Sequence, residues 1–158
     1  CKKLISKDIG LLPGSSNNPA KRWPIENWRA LIKKFLKIDD HLCFKIYGST
    51  EEVEIGETIR QGFNEEQVMN FCGKTNLGSL CKELASCASV IGNDSGGMHL
   101  ANLLGLQTIV LFGPTNPMAT KPIYGDNSFV VRAHFEVGVE NSETTINKIL
   151  KLFVNESD

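Results

Sequence analysis

The 158-residue sequence contains no apolar run long enough to cross a bilayer, since its longest apolar stretches have only the length of a strand. Its first residues also lack the apolar core of a signal peptide. Neither charge is in excess, because 17 basic and 18 acidic residues leave a net charge of −1. Such a chain has no overall field to attract nucleic acid or an anionic membrane, so any anion must be bound locally.

The five cysteines include no Cys-x-x-Cys pair, and the three histidines join no cluster with metal-ligand spacing. This pattern favours reduced core thiols, a cytosolic protein and no structural metal site. Internal repeats and low-complexity segments are missing, and the length is that of one domain. The sequence begins at Cys1 and not at Met, and we expect an N-terminal partner domain to be missing from it.

Short apolar runs alternate with amphipathic stretches, which predicts an α/β domain with a parallel sheet covered by helices on both faces. The strands are expected at 9–12, 42–47, 68–71, 89–92, 108–112 and 129–132. The first helix follows Pro24 and has apolar residues at helical spacing, namely Trp28, Leu31, Ile32, Phe35 and Leu36. Later helices are expected at 51–61, 77–87, 96–104 and 143–154, the last capped at 141–143 after an arm over 133–140.

Small and polar residues follow each of the first five predicted strands. In parallel sheets these loops meet at one edge, where ligands bind. The loops contain Gly14-Ser15-Ser16, Gly48-Ser49, Gly73-Lys74-Thr75, Asp94-Ser95-Gly96-Gly97 and Gly113-Pro114-Thr115. Short loops between strands and helices favour such residues for turn formation as well. Together the five loops favour a binding site over turn chemistry alone.

The fourth loop has the strongest signal, because an apolar strand stops abruptly before a new helix begins. Two glycines allow a ligand to approach the backbone, Asp94 and Ser95 can cap the helix, and its free N–H groups favour an anion. The segment therefore predicts a phosphate site, although Asp-Ser-Gly-Gly is also ordinary turn chemistry. A valine at Gly97 is expected to occupy ligand space while leaving the fold intact.

Three further positions have two interpretations each. Lys21, together with Arg22, either reaches a diphosphate bound by the first loop or is a solvated side chain. Glu52 either accepts ribose hydroxyls, as in Rossmann-type domains, or belongs to an acidic first helical turn. His99 either donates to a phosphate or sugar hydroxyl or is a packed residue. The first loop matches neither a P-loop nor a Gly-x-Gly-x-x-Gly fingerprint.

Four motifs, in this order and spacing, resemble the C-terminal half of the lipopolysaccharide heptosyltransferases, glycosyltransferase family 9. They are Pro13-Gly14-Ser15 with Pro19-Ala20-Lys21-Arg22-Trp23-Pro24, Tyr47-Gly48-Ser49, Asn93-Asp94-Ser95-Gly96-Gly97-Met98-His99-Leu100-Ala101 and Leu111-Phe112-Gly113-Pro114-Thr115-Asn116-Pro117. The resemblance covers residues 9 to 125. It implies a GT-B enzyme with two Rossmann-like domains, of which residues 1–158 are the C-terminal, donor-binding one, a three-layer αβα sandwich with about six strands.

The resemblance also implies roles for individual residues. Ser15, Ser16 and Lys21 would bind the diphosphate, Glu52 the ribose, and the backbone near Thr75 and Leu77 would border the adenine. The residues that would meet the diphosphate and heptose are Asp94, Ser95, Gly96, Gly97 and His99. The first loop is one residue longer than in some family members, so the register of Ser15 to Asn17 stays open.

By the same resemblance, the reaction is metal-independent and inverting, without a cofactor, and transfers heptose from ADP-heptose to lipid A-linked core sugar. The catalytic aspartate belongs to the N-terminal domain, so this chain alone is expected to transfer nothing. The full-length enzyme would be cytoplasmic, or peripheral at the inner membrane. Two alternatives stay open: another GT-B enzyme, such as an epimerase or a transferase with a different donor, and a nucleotide-binding module without chemistry.

Overall fold

In the computed structural model, the described residues form one six-stranded parallel sheet with the strand order β3-β2-β1-β4-β5-β6. The structure describes residues 8–14, 22–113, 127–132 and 139–155. The strands are β1 (Asp8–Leu12), β2 (Cys43–Ile46), β3 (Val68–Asn70), β4 (Ser89–Asn93), β5 (Gln107–Phe112) and β6 (Ser128–Arg132). The predicted α/β class and all six strands are confirmed. The order reverses at β1, which lies between β2 and β4, and this makes the carboxyl ends of β1 and β4 a topological switch point.

Helices pack on both faces of the sheet, as predicted. They are α1 (Ile25–Ile38), α2 (Val53–Arg60), α3 (Leu77–Ala85), α4 (Gly96–Leu103) and α5 (Val139–Asn155), with a 3₁₀ turn at Thr50–Glu52. One apolar cluster joins α1, α2 and α5 to the first face. A second cluster joins α3 and α4 to the other face. The result is a three-layer sandwich of Rossmann type.

The first helix carries the apolar stripe that the sequence predicts. Four of its members are buried on the sheet, namely Trp28, Leu31, Ile32 and Phe35, and Leu36 packs against them. Just before α1, Trp23 is 1% exposed and meets Trp28 edge to face at 5.1 Å between ring centroids. Trp23 is therefore a core anchor, because its ring is used in packing and cannot stack on a ligand.

The end of α4 lies where the sequence predicts it, whereas the beginning of α5 does not. Gly105 has a φ of +77° and ends α4, with Leu106 N–H donating to the Ala101 carbonyl and Gly105 N–H to the Asn102 carbonyl. This is the Schellman arrangement that favours glycine. The predicted start of α5 is wrong, because the helix begins at Val139 and already contains 141–143. The N–H groups of the first helical turn have no partner within the helix, so polar residues are suited to this turn as well as to a cap. The polar residues at 141–143 therefore do not mark where the helix begins.

Arg29 on α1 ties the C-terminal end of α2 to the body of the domain. Its Nη1 donates to the carbonyls of Thr58 and Ile59, each at 3.0 Å, and also to the Gln61 carbonyl. The guanidinium lies 5.2 Å from the centroid of the Phe63 ring. A cation at this end complements the helix dipole and satisfies carbonyls without an intrahelical donor.

We predict that Arg29→Ala lowers the free energy of unfolding by about 1–2 kcal/mol, because charge-assisted bonds to exposed carbonyls are lost. Urea denaturation followed by circular dichroism measures the change. Lys33→Ala removes an exposed positive charge from the same helix and should change stability by less than ~0.5 kcal/mol. Equal losses in the two variants would mean that Arg29 contributes charge alone.

Candidate functional site

A cavity of about 390 Å³ opens at the carboxyl edge of the sheet, next to the switch point. Four of the five predicted loops contribute to it. Its lining residues follow β1 to β4 in turn and are Leu12, Gly14, Gly48, Ser49, Glu52, Thr75, Asn76, Leu77, Leu80, Ser95, Gly96 and Gly97. Of the predicted site residues, the structure thus brings together Glu52, Thr75, Leu77, Ser95, Gly96 and Gly97. The fifth loop continues at 114–126, outside the described residues.

Glu52 is a buried carboxylate in the wall of this cavity. It ends the 3₁₀ turn after β2 and is only 6% exposed. Gly14 and Gly48 make room for it, because a Cβ atom at either position would collide with its carboxyl oxygens. Among the described residues no hydrogen-bond donor is paired with the carboxylate. A buried carboxylate needs donors, so this environment fits a ligand with hydroxyl groups better than it fits an ordinary acidic first turn.

Cys72 lies behind Glu52 in the same wall. Its Sγ atom would be 3.1 Å from a Cβ atom placed on Gly48, and it points toward the Ile46 carbonyl at 4.0 Å. Burial, with the negative charge of Glu52, raises the pKa of the Cys72 thiol to about 12. The thiol therefore stays neutral at physiological pH, and Glu52 supplies the negative charge of this wall.

The N-terminus of α4 forms the opposite wall. Ser95 is its N-cap, as the sequence predicts, but its side chain makes no capping hydrogen bond. Ser95 lines the cavity, and its hydroxyl is not used to cap the helix. Gly96 and Gly97 occupy the first two helical positions, where backbone N–H groups have no intrahelical acceptor. This wall suits an anion.

The two glycines of α4 differ in what surrounds them. A Cβ atom on Gly96 would have no neighbour within 4 Å, whereas one on Gly97 would lie 3.0 Å from Leu12 Cδ1. A side chain at Gly97 would require Leu12 to shift by a few tenths of an ångström, so the prediction that valine there leaves the fold intact stays a prediction. Gly96 is the position at which a side chain would enter open space.

The mouth of the cavity is apolar on the side of α3. Leu77 begins this helix and is 72% exposed, and Leu80 lies one turn further along. Asn76 caps α3 by accepting the Ser79 N–H at 2.9 Å, while its own N–H donates to the Ser79 hydroxyl. An exposed leucine held on a capped helix offers a flat apolar surface beside the polar walls.

Asp94 and His99 lie beside the cavity but are not among the residues that line it. Asp94 is buried, and its Oδ1 is 3.6 Å from Nε2 of His99. The structure thus brings the two predicted residues together as a pair. Ser15, Ser16 and Lys21 lie outside the described residues. The neighbouring Arg22 is partly buried, which does not fit a fully solvated side chain.

Asn93 joins the site although no role for it is predicted from sequence. Its buried amide bonds to backbone at both ends of the first loop, at Pro13 and Trp23. These partners are 80 and 70 residues away along the chain, so no local pattern could have identified it. Within the described part of the chain, no group of three or more His, Cys, Asp or Glu could hold a metal ion, and no helix could span a membrane.

Comparison with known proteins identifies the family of this chain. The model of glycosyltransferase family 9 (heptosyltransferase) matches residues 2–151. Over 127 residues the chain is 37% identical to lipooligosaccharide heptosyltransferase 2 of Haemophilus influenzae, covering 78% of this chain and 36% of that protein. The chain thus spans about a third of the length of this curated relative.

Two solved structures share the fold. The Escherichia coli ADP-heptose LPS heptosyltransferase II superposes with a TM-score of 0.79 at 28% identity, over 99% of this chain and 49% of that one. The E. coli heptosyltransferase WaaC with ADP superposes with a TM-score of 0.73 at 27% identity, over 98% and 45%. With the family match covering most of its length, the chain belongs to glycosyltransferase family 9, the heptosyltransferases.

Proposed function

We propose that this chain is the C-terminal, donor-binding domain of a GT-B glycosyltransferase that uses ADP-heptose. One observation carries the proposal: a buried carboxylate, Glu52, faces the same cavity as the N-terminus of α4. A carboxylate binds hydroxyls and a helix N-terminus binds anions, so the two walls fit the ribose and the diphosphate of one nucleotide. The E. coli relative with ADP supports the choice of nucleotide.

The remaining parts of the nucleotide sugar follow from the layout of the cavity. We place the adenine against Leu77, near Thr75, and the diphosphate at the amides of Gly96 and Gly97. Ser15, Ser16 and Lys21 would complete the diphosphate site. Ser95, with the Asp94–His99 pair beside it, lies where the sugar would leave the diphosphate. The hydroxyl of Ser95 is unused by the helix and can donate to this part of the ligand.

The transfer itself also needs a base and a surface for the acceptor. An acceptor hydroxyl oxygen forms a bond to the anomeric carbon as the bond from that carbon to the diphosphate oxygen breaks, and the configuration inverts. ADP leaves with the electron pair, and a base takes the hydroxyl proton. The amides at the start of α4 would stabilise the negative charge on the leaving diphosphate. The base and the surface for a lipid A-core acceptor would belong to an N-terminal domain, which fits the share of the relatives that this chain covers.

Isothermal titration of the chain with ADP and UDP tests the choice of donor. We expect ADP to bind and UDP to bind more weakly, because the apolar mouth at Leu77 offers more contact to a purine. Binding of UDP in preference to ADP would favour a different donor. Transfer of heptose by this chain alone would contradict the proposed division between two domains.

Glu52→Gln should weaken ADP binding about tenfold or more, because a hydrogen bond to a charged group typically contributes ~1.5–3 kcal/mol. The loss should shrink when 2′-deoxy-ADP or 3′-deoxy-ADP replaces ADP, because the ribose hydroxyl that uses Glu52 is then missing. Glu51→Gln, in the same turn but exposed, is the matched control and should bind like wild type. Equal losses for ADP and for both deoxy analogues would show that Glu52 does not contact the ribose.

Gly96→Val should abolish ADP binding while the melting temperature stays within about 4 °C of wild type, since its side chain enters open space at the diphosphate position. Gly97→Val, on the same helix, should lower the melting temperature because it pushes on Leu12. Titration calorimetry and thermal denaturation of both variants separate the two effects. Wild-type affinity in Gly96→Val would place the diphosphate elsewhere.

A further inference from the structure

Asn93 is a fully buried amide whose two ends are both used. It is the last residue of β4 and is 0% exposed. Its Nδ2 donates to the Pro13 carbonyl at 2.7 Å, and its Oδ1 accepts the Trp23 N–H at 3.3 Å. Both partners are backbone groups of buried residues, and a buried backbone group needs a hydrogen-bond partner when water is excluded. Asparagine supplies one donor and one acceptor in a single neutral group.

The elements that contain these partners also have contacts of their own. On one side, β1 pairs with β2 and β4, and Leu12 is buried in the core. On the other side, Trp23 packs on Trp28, and the Pro24 carbonyl accepts N–H groups from the first turn of α1. The strand and the helix are therefore fixed by their own contacts. The amide fixes the backbone between them, where the chain leaves β1 and where it returns to α1.

The exit from β1 is also part of the cavity. Gly14 follows Pro13 directly, lines the cavity and lies so close to Glu52 that a Cβ atom there would require the carboxylate to shift. A shift of the Pro13 carbonyl would move Gly14 and open or close the space around Glu52. On the other side of Asn93, the chain continues through Asp94 into the N-terminus of α4. One side chain thus links the Glu52 wall to the α4 wall.

We propose that Asn93 is a positioning residue of the nucleotide site. It holds Gly14 against Glu52 and keeps the Glu52 wall and the α4 wall in a fixed relative position. This inference rests on the proposed function, because the affinity for ADP is what reports the relative position of the two walls. Asn93 itself lines no part of the cavity. Its effect on binding must therefore pass through the backbone around it, at Pro13 and Gly14 on one side and at Asp94 on the other.

Asn93→Asp tests this with almost no change of shape. The ionised carboxylate has only acceptors, so it repels the Pro13 carbonyl. The protonated carboxyl can donate its O–H to that carbonyl and accept the Trp23 N–H, which restores the original pattern. Burial and the facing carbonyl favour the protonated form, so the restoration occurs as the pH falls. Asn93→Leu loses both bonds at every pH.

We expect Asn93→Asp to bind ADP about tenfold more weakly than wild type at about pH 8. At about pH 5 the loss of affinity should shrink to within about threefold. The deficit of Asn93→Leu should not change with pH. The other charged groups near this position, Arg22, Glu52, Asp94 and His99, are present in wild type and in both variants, so all three proteins are compared at the same pH. Asn127→Asp is the matched control, because its Nδ2 also faces a carbonyl, that of Gly105, but before β6 at the opposite edge of the sheet.

The affinities are compared for the folded fraction, measured by circular dichroism. If Asn93→Asp is unfolded at the assay temperature at about pH 8, the test uses the ADP affinities of Asn93→Asp and Asn93→Leu at about pH 5. Equal deficits in the two variants there would overturn the proposal. Wild-type affinity of folded Asn93→Asp at the higher pH would overturn it as well, while leaving the proposed function intact. Failure of wild type to bind ADP would overturn both.

Discussion

The close packing of Leu12 on Gly92 is the constraint on which the rest of the site depends. The two residues are partners in the pairing of β1 with β4. A Cβ atom on Gly92 would lie 2.7 Å from both Leu12 Cβ and Met98 Sδ, so only glycine allows this approach. Gly97 then packs on the same leucine. The end of β1 and the beginning of α4 are thereby held together at the switch point, and the cavity forms beside them.

The electrostatics of the cavity follow from this arrangement. One wall has a buried carboxylate, the other has backbone N–H groups, and the mouth is apolar. A nucleoside diphosphate presents a base, ribose hydroxyls and an anionic diphosphate, and under the proposed function the apolar mouth, the Glu52 wall and the α4 wall would each meet one of these groups. Because the chain has a net charge of only −1, any attraction for a bound anion would come from this local arrangement.

The sequence predicted the strands, the layers and the edge at which the site forms, because apolar periodicity and loop composition are local properties. From the residues alone, Glu52 is explained better by an acidic helical turn, and only the family resemblance assigns it to a ribose. The binding of a ribose by Glu52 stays a prediction. The burial of Glu52 against Gly14 and Gly48 argues against an ordinary acidic turn, and burial depends on the tertiary fold. The same holds for Gly96 and Gly97, which are equivalent in sequence and differ only because Leu12 faces one of them. Asn93 could not be found because its partners are distant in the chain.

The central claim is that one nucleotide uses both walls of this cavity. A crystal structure of the chain with ADP tests it most directly. The account predicts a ribose hydroxyl within hydrogen-bond distance of the Glu52 carboxylate, about 2.5–3.0 Å, and diphosphate oxygens on the amides of Gly96 and Gly97. ADP bound with its ribose away from Glu52, or with its phosphates away from the start of α4, would contradict the account.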